Sequence, residues 1–127
     1  MYEPRTETMV FGDVSITVRE QLAFDVLNAR FIMHILHSAS GGVIGGVQYY
    51  FASEFTRFLT RVTACTGTDI PFDLVARGWV SDSHYADITK VWDALQLNPQ
   101  FANLFVEFDQ IERGFEEAID NSPKLES

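Results

Sequence analysis

The hydrophobic pattern near the N-terminus predicts a β-hairpin. Two short runs rich in β-branched and aromatic residues, within residues 6–18, flank the pair Gly12-Asp13. Glycine readily takes the positive φ of a tight turn, so two such runs joined by Gly-Asp indicate a hairpin. From Val14 to Val18 apolar residues alternate with polar ones, which gives the second strand one apolar face. Because a lone hairpin is only marginally stable in water, we expect this face to pack on helices.

Helical periodicity dominates the rest of the chain. Apolar residues between Glu20 and Ala39 occupy more than one stripe, which predicts a central helix that is covered on most sides. From Val47 onwards apolar positions recur at spacings of three and four, which predicts an amphipathic helix ending near Thr66-Gly67. Residues 82–95 form a third periodic segment. Asparagine followed by proline then opens a fourth, strongly amphipathic helix over residues 99–120.

These elements predict a mainly α (α+β) fold, a compact helical domain of about four helices with an N-terminal β-hairpin at about residues 6–18. The length of 127 residues fits one domain, and a hydrophobic content of 46% supplies a core. We expect residues 1–120 to form this single domain and residues 121–127 a flexible C-terminal tail. Residues 68–82 connect the second and third helices, with a short helical turn at 73–77.

The net charge of −9 is distributed unevenly. Residues 1–65 hold five basic and six acidic side chains, whereas residues 66–127 hold four basic and twelve acidic ones. Such an excess of acid disfavours binding to nucleic acid and to anionic membranes. The most apolar stretch, residues 31–51, is interrupted by histidines and glycines, which argues against a spanning helix. A single cysteine and no signal-peptide pattern at the N-terminus lead us to expect a cytoplasmic protein.

Two candidate sites involve histidine. His34 and His37 are three residues apart on one predicted helix, so they could ligate a metal together with Asp25 or His84. The further ligands do not follow a recognised spacing, so we interpret the pair as structural and expect no metal ion and no organic cofactor. Cys65 with a histidine could form a nucleophilic dyad, but a lone cysteine after an apolar helix is more often a packing residue.

Glycines and carboxylates offer two weaker candidates. Residues 41–46, GGVIGG, lack the lysine and spacing of a phosphate-binding loop, so we interpret them as the end of a helix. The carboxylates of the last helix lack a glycine-containing calcium loop and are interpreted as a solvated acidic face. This acidic face comprises Glu107, Asp109, Glu112, Glu116, Glu117 and Asp120.

Aromatic residues point to an interaction surface. Eleven Phe, four Tyr and two Trp exceed what a small core obviously needs, so some of them are candidates to line a groove for a partner helix. The alternative is a phenylalanine-rich core, and the sequence alone does not separate the two. Surplus aromatic surface also favours pairing with a second copy, so we expect a homo-oligomer. The candidate partner-binding residues are Tyr50, Phe55, Phe58, Phe105 and Phe108.

Several short segments, taken in order, resemble a known family. They are GDVSITVREQLAFDVLNA, SEFTRFLTRVTACTG, IPFD, DITKVWDALQLNP and FANLFVEFDQIERG. In this order they are similar to the tail assembly chaperones of long-tailed bacteriophages, in which a hairpin leads through an "ITVRE"-like stretch into a helix and an "LPF"-like turn precedes a final helical pair. Residues 16–20 and 70–72 match those two places, and the resemblance covers roughly residues 9–118.

The resemblance implies a non-enzymatic role. A protein of that family would coat the hydrophobic, helical tape-measure protein in the cytoplasm of the bacterial host until tail tube subunits assemble around it, commonly as an oligomer. Two other classes remain open. An acidic decoy would present the acidic face to a basic nucleic-acid-binding protein. A small-ligand-binding domain would need a pocket with convergent polar groups, which we would place near His34, His37 and His84.

Overall fold

The computed structural model describes residues 3–39 and 47–120, and their side chains over 3–38 and 50–117. Within these ranges four α-helices and a three-stranded antiparallel sheet confirm the α+β class with an N-terminal hairpin. The glycine-rich run 41–46 and the expected tail 121–127 lie outside the described residues. The elements are β1 (Thr6–Phe11), β2 (Val14–Arg19), α1 (Ala23–Ala39), α2 (Val47–Arg61), β3 (Val62–Thr66), α3 (Tyr85–Leu97) and α4 (Leu104–Asp120).

The hairpin forms as the alternation predicts. β1 and β2 pair antiparallel from Thr6 opposite Arg19 to Phe11 opposite Val14, and Gly12 takes a φ of 64° in the turn. The apolar face of β2 is buried in the same core as the apolar residues of the helices. The hairpin is therefore stabilised by helix packing, as expected for a ribbon that is unstable alone.

A third strand replaces the predicted end of the second helix. We expected that helix to continue to Thr66-Gly67, which is wrong: α2 ends at Arg61, and β3 follows it directly. The residues from Val62 to Thr66 include β-branched side chains, which favour extended backbone. Pairing with β2 gives their backbone groups partners that a frayed helix end would lack. Gly67, with a φ of 84°, ends the strand rather than a helix.

The first helix is less covered than predicted. Ile32 and Ile35 of α1 are buried, but Phe24 and Leu27 are exposed, so the expectation that α1 is covered on most sides is wrong. Among the described elements the main partner of α1 is α2, with a smaller contact to α3, and neither covers Phe24 and Leu27. No α-helix within the described ranges is both long enough and apolar enough to cross a membrane.

The last two helices begin with short 3-10 turns. Residues 82–84 form one before α3, and Pro99–Phe101 form the other before α4 begins at Leu104. Proline after Asn98 therefore opens a 3-10 turn, as its fixed φ allows, and the α-helix itself starts five residues later than predicted. The expected turn at residues 73–77 is present, because the Arg77 N–H donates to the Asp73 carbonyl at 3.1 Å.

Candidate functional site

Three of the five candidate partner-binding aromatics belong to the core. Phe55, Phe58 and Phe108 have no exposed surface. The ring of Phe58 lies edge-on to those of Phe108, at 5.6 Å between centroids, and Phe72, at 6.2 Å. Edge-to-face packing at these distances is favourable, and the cluster holds α2, α4 and the connector together. These three rings are therefore core residues and cannot contact a partner while the protein is folded.

The remaining two candidates lie at a groove between α2 and α4. Tyr50 is 62% exposed, and Phe105 is half-buried and packs against the core. Beside them Phe51 is 47% exposed and Val106 is 58% exposed. The groove has a volume of about 550 Å³. Its lining residues are Tyr50, Phe51, Glu54, Phe105, Val106, Asp109, Gln110 and Arg113.

Two apolar residues of the groove, Phe51 and Val106, are absent from the sequence-based candidates, and only Val106 carries a sequence signal. Val106 does not lie on the buried stripe of α4, which is formed by residues at helical spacing such as Leu104, Phe108 and Phe115. An apolar residue off the buried stripe of a helix is exposed by that geometry alone. Phe51, by contrast, lies on the same stripe as the buried Phe55, so the spacing predicts burial and gives no sign of its 47% exposure.

The charges at this groove are paired. Arg57 donates to Glu54 at 2.9 Å and to Asp109 at 3.4 Å, and Arg113 contacts Asp109 at 3.1 Å. Burial acts to lower the pKa of Arg57, but Glu54, Glu112 and Asp109 together hold it above its ordinary value. Arg57 lies beside the groove rather than in its lining, but through these ion pairs it and Arg113 offset Glu54 and Asp109, so the groove has little net charge.

The carboxylates of the predicted acidic face lie in different environments, from buried to exposed. Glu112 is buried and accepts a hydrogen bond from Arg61 at 3.1 Å, so placing it on a solvated face is wrong. Burial lowers the pKa of Arg61, which Glu112 and Asp25 oppose. Glu112 lies on the side of α4 that faces α2, and without it the buried charge of Arg61 would be unpaired, which would lower the stability of the fold. Glu116 and Glu117 are exposed, and the side chain of Asp120 lies outside the described residues.

The histidines do not form a metal site in the described part of the chain. His34 and His37 are exposed on α1, whereas the Nδ1 atom of His84 accepts the backbone N–H of Ser81 at 3.0 Å. Asp25, considered above as a further ligand, is buried and accepts two hydrogen bonds of 2.6 Å from Arg19. Among the described residues no group of three or more His, Cys, Asp or Glu side chains is placed to hold a metal ion.

Cys65 has the environment of a packing residue. It is half-buried in β3 opposite Ile16 of β2. Burial raises the pKa of the Cys65 thiol, and the nearby Asp73 carboxylate adds to the effect. Because the thiolate is the nucleophilic form, a raised pKa makes this thiol less reactive at neutral pH.

No protein-family model, curated protein or solved structure matches this chain. The resemblance to the tail assembly chaperones therefore depends on short sequence segments alone. What the chain can bind follows from the shape and chemistry of its own surface.

Proposed function

We propose that this protein is a non-enzymatic tail assembly chaperone that binds an amphipathic helix of a tape-measure protein in the groove between α2 and α4. The observation that supports the proposal most directly is the set of exposed apolar side chains at that groove, Tyr50, Phe51 and Val106. Large aromatic residues beside an apolar depression are favoured anchors for a partner. The resemblance in the sequence supplies the kind of client.

The groove between α2 and α4 fits a helical segment of a partner better than it fits a flat partner surface. An amphipathic helix docks through side chains at positions i, i+3, i+4 and i+7, which insert between two flanking helices. The rings of Tyr50 and Phe51 lie 5.8 Å apart on one side of the groove, and Phe105 and Val106 lie on the other. A stripe of leucine or isoleucine side chains on the client would bury these four residues together.

The paired charges predict how binding responds to salt. Because the arginines and carboxylates at this groove balance one another, apolar contact would supply most of the affinity, and added salt would weaken binding little. An acidic decoy would behave in the opposite way, with a steep loss of affinity as salt rises. The buried position of Glu112 also removes one carboxylate from the surface that a decoy would use.

Co-expression with the tape-measure protein encoded in the same phage genome tests the proposal. The wild-type protein should raise the soluble fraction of that client, and the Tyr50→Ala/Phe51→Ala double variant should lose most of this effect. Leu97→Ala is the matched control, because Leu97 is also a large exposed apolar residue but does not line the groove. A binding titration with the purified pair should show at least a tenfold weaker affinity for the double variant, equivalent to about 1.4 kcal/mol.

Two results would contradict the proposal. One is equal client solubility with the wild type and with the double variant, both correctly folded. The other is binding that disappears at high salt but survives loss of both aromatic rings, which would favour the acidic decoy instead.

A further inference from the structure

We propose that the outer edge of β1 binds an extended, positively charged segment of a protein partner as a fourth strand of the sheet. This inference does not rest on the chaperone function, since it concerns a different surface and a different backbone geometry. The surface, here called the edge groove, lies between β1 and one face of α4. It is lined by Arg5, Thr6, Glu7, Thr8, Met9, Val10, Glu107, Gln110, Ile111, Gly114 and Phe115.

The hydrogen-bond pattern of the sheet leaves one side of β1 open. The strand order is β1-β2-β3, so β1 is an edge strand, and among the described residues no segment pairs with its outer side. The Glu20 N–H donates to the Arg5 carbonyl at 3.0 Å, which fixes the phase of the antiparallel ladder. Bonding alternates along such a ladder, so the N–H and C=O groups of Thr6, Thr8 and Val10 point away from β2.

Natural edge strands are usually protected from pairing with other chains. Common protections are proline, charged side chains (lysine above all), a β-bulge or a very short strand. β1 has six residues, contains neither proline nor lysine, and pairs with β2 in unbroken register. Its one charged residue is Glu7, which would repel an acidic strand and attract a basic one. The outer edge of β1 is therefore a competent template for another strand.

The space beside this edge offers room for an added strand. The edge groove has a volume of about 900 Å³, larger than the groove between α2 and α4. Gly114 of α4 faces open space, because a Cβ built on it would have no heavy atom within 4 Å outside its own neighbourhood. Ile111 and Phe115 give the groove apolar contacts on which alternate side chains of a strand can pack.

The charges of the edge groove select a basic occupant. The Arg5 guanidinium is already bound to Glu20 at 2.7 Å and to the Phe115 carbonyl at 2.9 Å. Glu7 and Glu107 have no ion-pair partner among the described residues, so two carboxylates remain uncompensated on the groove walls. Lysine or arginine side chains on an added strand would meet them. A second copy of this chain, with net charge −9, would instead bring like charges together.

A synthetic peptide tests the inference on the full-length protein. The peptide alternates lysine with valine, matches the length of β1 and has both ends blocked. Added to the isotopically labelled protein, it should slow hydrogen exchange at the amides of Thr6, Thr8 and Val10 by tenfold or more. The amides of Glu7 and Met9, which already bond to β2, should change much less.

Three comparisons and one control separate strand addition from general charge attraction. The same peptide methylated on alternate backbone nitrogens should bind at least tenfold more weakly, because it cannot complete the ladder. Val10→Pro removes an outward N–H and should weaken binding similarly, whereas Val10→Ala keeps that N–H and should not. Glu107→Lys should weaken the lysine peptide severalfold and favour a glutamate–valine peptide. Tyr50→Ala, at the other groove, should leave the affinity unchanged.

Several outcomes would overturn the inference. Peptide binding without slowed exchange at Thr6, Thr8 and Val10 would place the peptide elsewhere. Equal binding of the methylated peptide would exclude a β-ladder, and this test remains valid if Val10→Pro fails to fold. Slowed exchange at the same amides that depends on protein concentration, with no peptide present, would make a second copy the occupant.

Discussion

The division of the aromatic residues into core and surface makes a sharp prediction about stability. Phe58→Ala should destabilise the protein strongly, whereas Tyr50→Ala should leave its stability nearly unchanged. Phe58 has no exposed surface and lies edge-on to Phe72, Phe105 and Phe108, with centroid distances of 6.2, 6.3 and 5.6 Å. Tyr50 is mostly exposed, and its ring contacts only that of Phe51 among the described aromatic pairs.

The expected magnitude follows from burial. Truncating a fully buried phenylalanine to alanine lowers the free energy of unfolding by about 3–5 kcal/mol, through lost transfer free energy and the cavity left behind. The three neighbouring rings of Phe58 place it near the upper end of that range. A domain of this size has a total stability of about 5–15 kcal/mol, so the loss is a large fraction of it. For Tyr50→Ala we expect a change within about 0.5 kcal/mol.

Urea unfolding followed by circular dichroism measures both values, and calorimetry gives the melting temperatures. At roughly 3–5 °C per kcal/mol for this chain length, Phe58→Ala should melt about 10–25 °C below the wild type. Phe58→Leu is an intermediate control, because it keeps most of the apolar volume and should lose less stability. A loss below about 1 kcal/mol for Phe58→Ala would refute the placement of this ring at the centre of the core.

Three further predictions concern other parts of the fold. Asp25→Asn should lower the free energy of unfolding by about 3–5 kcal/mol, since it leaves a largely buried arginine unpaired; an equal effect of the exposed control Asp93→Asn in urea unfolding would contradict this. Gly67→Ala should also destabilise, by more than about 1 kcal/mol, because its φ is positive and the new Cβ would meet a backbone oxygen; Gly114→Ala, with open space and a helical backbone, should be neutral or stabilising in the same assay. Alkylation of Cys65 by iodoacetamide should be slower than that of a free thiol at neutral pH and accelerate as pH rises, because burial raises its pKa; a rate independent of pH, followed by mass spectrometry, would be inconsistent with that environment.

Local patterns in the sequence were sufficient to predict the hairpin and the number of helices. The alternation from Val14 to Val18 and the spacing along α4 are properties of single elements, so they are visible without knowing what packs on them. The end of α2 was mispredicted, because the residues after Arg61 satisfy both helical and extended patterns. Pairing with β2, a strand more than forty residues away, decides between the two.

Predicting the candidate site from the sequence was harder than predicting the fold, because the site depends on contacts between separate elements. Tyr50 and Phe58 have the same aromatic character in the sequence, and only the position of α4 makes one a surface residue and the other a core residue. Glu112 likewise resembles the exposed carboxylates around it until Arg61 of α2 is placed opposite. Long-range pairs of this kind leave no signal in one sequence.

The junction between α2 and β3 restricts how the length of this chain can vary. Arg61 ends the helix and Val62 begins the strand, with no intervening loop to absorb a change. One residue inserted within α2 would rotate everything before it by about 100° relative to β3. Tyr50 and Phe51 would then leave the groove that they share with α4. We therefore expect homologous chains to keep the spacing from residue 50 to residue 66 constant and to accumulate insertions in the connector at residues 67–81.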